Sequence, residues 1–111
     1  MEERRKSPRI PFQFHVTFHD QDEQFRCHTV DASEGGVYVE SRVQPGVGSI
    51  LPFVIEHREL PAALEIIGRV AHHKDDPRGF GLQINQIQSE QVFDAYCDLL
   101  NRAATSKSRK S

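Results

Sequence analysis

The sequence predicts an all-β fold of about six short antiparallel strands followed by one C-terminal α-helix. Three observations lead there. Apolar and polar residues alternate with period two in short segments between residues 12 and 84. Polar turns rich in Gly, Pro and Asp separate those segments. After Ser89 the apolar spacing changes to that of one helix face.

The first strand is Phe12 to Phe18, with Phe12, Phe14, Val16 and Phe18 expected inward. His19 to Glu23 is a polar turn, and Phe25 to Val30 is the return strand of a hairpin. Asp31-Ala-Ser-Glu-Gly-Gly36 is a tight turn, and Val37 to Val39 begins a third strand. Pro45, Gly46 and Gly48 mark another turn before Ile50 to Ile55, where Pro52 argues for an edge or a bulge. Leu64 to Ala71 is a strand with Gly68 as a bulge candidate. His73 to Arg78 turns the chain into a last strand, Phe80 to Ile84. Val92, Phe93, Tyr96, Leu99, Leu100 and Ala103 then share one helical face, with Ser89 as N-cap and Glu90 in the first turn. A sheet of this kind hides its edges by closing, with the helix over an open end.

The 111 residues allow one domain with a modest core. No apolar run is long enough for a transmembrane helix or a signal peptide, which points to a cytoplasmic protein. Cys27 and Cys97 are too few for a disulfide scaffold. Charge is unevenly placed. Residues 1–9 carry four bases and two acids, residues 101–111 four bases and no acid, and residues 10–100 six bases against fourteen acids. That acidic body argues against nucleic acid as a partner. The organisation expected is a flexible basic arm over 1–10, a barrel with its helix over 11–101, and a disordered basic tail over 102–111.

Signals of catalysis are weak. His72 and His73 are adjacent on a strand and face opposite ways. His15 and His19 share a face but stand about 13 Å apart at strand rise. Neither cysteine has zinc spacing, and no nucleophile elbow or phosphate loop occurs. The expectation is no enzyme, no metal and no cofactor.

Two segments carry more chemistry. Arg5-Lys-Ser-Pro-Arg9, with Arg4 before it, cannot be helical beside Pro8 and Pro11. On an extended chain its two arginines lie about 12 Å apart, and guanidinium forks suit both phosphate and the O6/N7 edge of guanine. The plainer reading is a solvated tail. In the turn, Asp31 can accept from the N1–H and N2–H₂ of guanine, Ser33 can donate or accept, and Gly35 and Gly36 admit a close ligand. Its plainer reading is an Asx turn.

An RxxxR segment before the first strand and a DxSxxG turn after the second together resemble the PilZ domain family. Gly68-Arg-Val70, Gly79 to Ile84 and the closing helix fit as well, so the likeness spans residues 4 to 101. It implies a six-stranded antiparallel barrel that binds the bacterial second messenger cyclic di-GMP. Arg5 and Arg9 would clamp a phosphate and a guanine, Asp31 and Ser33 would read a guanine edge, and Gly36, beside Gly35, would leave room for the base. An arginine at the place of Arg4 is associated in the family with an intercalated dimer of the ligand. Many relatives carry a tryptophan where this chain has His72, which can stack on guanine less broadly. The resemblance implies a receptor that signals to a downstream protein by ordering its N-terminal arm. The alternative is a family adaptor that binds no nucleotide, although such members lack the two motifs that are intact here.

Overall fold

The structure is a computed structural model and describes residues 9–110. Seven strands and one helix follow in chain order: β1 (Ile10–Pro11), β2 (His15–Asp20), β3 (Glu23–Ala32), β4 (Gly36–Glu40), β5 (Ile50–Glu56), β6 (Leu64–Asp75), β7 (Arg78–Ile87) and α1 (Glu90–Lys110). Six strands close into an antiparallel barrel: β3 pairs with β2, then β5, β6, β7 and β4 follow, and β4 returns to β3. The short β1 lies outside it, paired with the end of β3. Leu64, Ile66 and Val70 of β6 alternate inward with Phe53 and Ile55 of β5 and Val37 and Val39 of β4. At the centre, Phe18 meets Phe53 at 5.4 Å and Phe80 edge-on at 5.5 Å between ring centroids. These are the offset and T-shaped geometries aromatic quadrupoles favour.

The β2–β3 hairpin turns on Gln21 and Asp22, both in the left-handed region at φ 54° and 67°. That is the primed turn whose twist matches paired strands. Pro52 ends a ladder as well as occupying a strand. Alternate residues of β5 face β2, Pro52 is one of them, and it has no N–H to give. Pairing of β2 with β5 accordingly stops at Phe18 and Phe53. The bulge expected at Gly68 is present, since the β6–β7 register shifts between Ile67 and Gly68.

Three expectations need correcting. The first strand is not continuous from Phe12, because the chain bends between β1 and β2, leaving Phe12 half-buried against Phe14 and His57. The buried Thr29 of β3 holds that bend: its hydroxyl accepts the Phe14 N–H at 2.9 Å and donates to the Phe12 carbonyl at 2.6 Å. Second, β6 continues through His72 and His73 to Asp75, so the turn before β7 is only Asp76 and Pro77. Third, α1 runs to Lys110, where a disordered tail from residue 102 was expected. Residues 101–110 contain no Gly or Pro, and Ala103 and Ala104 are strong helix formers.

Helix α1 starts where Ser89 caps it, its hydroxyl accepting the Val92 N–H at 3.2 Å. Val92, Tyr96, Leu99 and Leu100 then cover one end of the barrel. Replacing Thr29 by valine keeps the volume and strands one donor and one acceptor at the bend. Urea unfolding should therefore show a loss of about 1–3 kcal/mol. An unchanged midpoint would mean that the bend does not depend on this hydroxyl.

Candidate functional site

Strand register assembles the site on the outer face of the barrel. Asp31 of β3 pairs with Tyr38 of β4, Tyr38 with Gly81 of β7, and Gly81 with His72 of β6. Directly paired residues project to the same side. Asp31, Tyr38 and His72 therefore form one transverse row, with Gly81 as a gap between the rings. Three inter-strand steps make the row about 14 Å wide. Val37 and Val39 face inward on either side of Tyr38, which fixes the tyrosine on this outer face.

Arg9 closes one end of the row. Its guanidinium donates to the Asp31 carboxylate at 2.7 Å, with both side chains partly in solvent. An exposed pair of this kind contributes little to stability, about 0–1 kcal/mol. What it does is orient a carboxylate and a guanidinium side by side on the same patch. Arg4 and Arg5, expected to join it, lie outside the described residues.

The turn residues divide their roles differently from the expectation. Ser33 is buried, and its hydroxyl is engaged within the turn, accepting the Gly35 N–H at 3.2 Å and donating to the Gly36 carbonyl at 3.3 Å. It shapes the loop and does not point outward. Gly36 was expected to leave room for a base, yet a Cβ there would strike the Leu82 carbonyl of β7. Its bareness lets β4 lie close against β7. Gly35 is the open position, with nothing within 4 Å of where a Cβ would stand.

His72 does lie on the face with Asp31. Its ring passes over Gly81 so closely that any side chain there would collide with it. It stacks against Tyr38 with the rings inclined by 21° and centroids 6.1 Å apart. Sequence reasoning passed over Tyr38 and Lys74. Tyr38 is nearly covered on what is formally an outer surface, with the Lys74 ammonium 5.3 Å above its ring. Its hydroxyl donates to the Pro77 carbonyl at 2.6 Å. Burial first, then the carboxylates of Asp75, Glu40 and Asp31, raise its pKa and keep the phenol neutral. The signal for Tyr38 was in the sequence: an aromatic residue between two valines, two positions beyond the DxSxxG turn.

The turn is also bound to the helix. Tyr96, fully buried, donates its hydroxyl to the Ser33 carbonyl at 2.7 Å. The Cys97 thiol hydrogen-bonds the Glu34 carboxylate, and burial, then the carboxylates of Glu34, Asp94 and Asp98, push its pKa up to about 12. Tyr96 is raised too, chiefly by burial. Both groups release protons more readily in the unfolded chain. Their contribution is complete at neutral pH and declines as pH climbs past the ordinary thiol value of 9.0. Melting temperature should fall between about pH 8 and about pH 11, and less steeply in Cys97→Ala. A flat profile over that window would contradict the burial described.

Among the described residues no three His, Cys, Asp or Glu side chains gather as a cation site, and no helix is long and apolar enough to cross a membrane. Comparison with curated proteins finds no match. Among solved structures, the chain is similar to the inhibitor of motility MotI/DgrA of Bacillus subtilis, at 21% identity and a TM-score of 0.69. The likeness covers 89% of this chain and 53% of that one, so the chain spans about half its length, and it speaks for the fold alone. The family model for the PilZ domain matches residues 3–99, from the arginine segment through the barrel and into the helix. The chain belongs to the PilZ domain family.

Proposed function

We propose that this chain is a non-catalytic receptor for cyclic di-GMP that acts on a partner protein in the bacterial cytoplasm. The observation that carries the reading is the Arg9–Asp31 contact at 2.7 Å. It joins the two motifs, 22 positions apart in sequence, at one end of a row that holds two aromatic rings. Family membership supports the same reading.

On this reading Asp31 accepts from the Watson–Crick edge of one guanine while Arg9 and Arg5 take a phosphate and the guanine O6/N7 edge. Open space at Gly35 lets the nucleotide approach the main chain, and Ser33 serves by holding the turn. The His72 ring offers a stacking surface at the far end of the row. Arg4 supplies the further cation that an intercalated ligand dimer would use. The two phosphate charges order the basic N-terminal arm over the ligand, and the altered face is what a partner protein reads.

Calorimetric titration of cyclic di-GMP into the full chain tests this directly. Asp31→Ala and Arg9→Ala should each weaken binding by about 10- to 100-fold, the size expected for a charged hydrogen bond. Their melting temperatures should stay near the parent's, since the pair is exposed. Affinity should fall with added salt, and His72→Ala should bind more weakly than the parent. Two ligands per chain would assign the dimer to Arg4, whereas one would remove it. Absence of heat with the parent would overturn the receptor reading and favour an adaptor that binds no nucleotide.

A further inference from the structure

The barrel wall is incomplete at the end away from the candidate site. β4 pairs with β3 only from His28 onward, while β3 begins at Glu23. In the β2–β3 ladder, residues 23, 25 and 27 of β3 direct their main-chain groups to β2, as the two-residue turn after Asp20 requires. Gln24 and Arg26 direct theirs the other way. No hydrogen bond among the described residues meets them there. Beside this bare edge, the chain leaving β4 diverges and opens a cleft of about 400 Å³. Phe25, Cys27 and Val43 give it an apolar lining, and Arg26, Arg42 and Arg78 make its rim basic. Arg42 has no carboxylate partner among the described residues.

Glu40 lines the cleft too but is engaged by His28 at 3.3 Å, and a further acidic group, Asp20, Asp22 and Glu23, sits on the adjoining hairpin. We propose that the cleft receives the β2–β3 hairpin of a second copy, the two β3 edges pairing antiparallel about a two-fold axis. The register is self-complementary. With Phe25 opposite its own copy, Gln24 faces Arg26 and Arg26 faces Gln24, and both are residues whose main-chain groups point outward. Two half-buried Phe25 rings then meet across the axis as a cross-strand aromatic pair. Glu23 falls opposite Cys27 of the other copy, at the mouth of the cleft that holds Arg42. Charge often guards an exposed strand edge. Here each Arg26 lies across from a glutamine rather than a second arginine, so it does not guard this one.

Sedimentation equilibrium of the full chain from about 10 μM to about 1 mM tests the proposal. A monomer–dimer equilibrium is expected. Arg26→Pro removes an N–H that faces the open edge and none that faces β2, so circular dichroism should stay native while association weakens at least about tenfold. Glu23→Arg should weaken association similarly, and adding Arg42→Glu to it should restore the dimer. A chain that stays monomeric throughout overturns the proposal and leaves the edge to a different protein. Association insensitive to all three variants overturns it too.

Discussion

The return of β4 to β3 is the constraint on which the rest of the molecule depends. Without it the sheet would have two long edges and no enclosed core, and an exposed edge is an association hazard. Closure requires the chain to reverse within Ser33 to Gly35, and the main-chain N–H of Ser33 donates to the Gly36 carbonyl at 2.8 Å to do so. It also requires β4 to lie against β7 at Gly36, where no Cβ fits. The same closure sets Asp31 beside Tyr38. The fold and the candidate site therefore share one turn, and the turn residues serve the barrel first.

That sharing gives the site two walls of different stiffness. On the inner side, the Tyr96 hydroxyl and the Cys97 thiol of α1 hold the main chain of Ser33 and the side chain of Glu34. Releasing them would leave the Ser33 carbonyl buried without its donor, which is costly in a low-dielectric interior. The outer wall is Arg9, partly solvated and held by one exposed ion pair. Displacing Arg9 from Asp31 costs little, because water replaces what is lost. Asp31 is thus a carboxylate on a rigid frame whose present partner is easily exchanged.

Much of this was legible in the sequence, and the remainder fails for identifiable reasons. Alternation located the strands because one barrel face is buried along its length, and the helix announced itself through Ser89 and the spacing from Val92 to Leu100. The bend at Phe12 to Phe14 was hidden because all four inward candidates are phenylalanine or valine, while its cause, Thr29, lies on another strand. The sequence suggests Ser33 as a reader of a guanine edge and Gly36 as space for the base, and neither expectation brings in a structural role. Only the neighbouring strand and the local hydrogen bonds show that both shape the closure. The helix runs past the start of the expected tail because nothing in residues 101–110 breaks a helix.

The row from Asp31 to His72 shows why spacing in one sequence reaches only so far. Its members come from four strands, and their alignment depends on two register shifts, one after Thr29 in β3 and one between Val70 and His72 in β6. A shift of one residue would send a side chain to the other face. Without the first, Val30 would stand where Asp31 does. Without the second, Ala71 would face Gly81 in place of His72. Gly81 adds a further condition, since His72 can cross toward Tyr38 only where β7 presents no side chain. The reach of His72 is therefore set by the bulge that delivers it and by the glycine it lies upon.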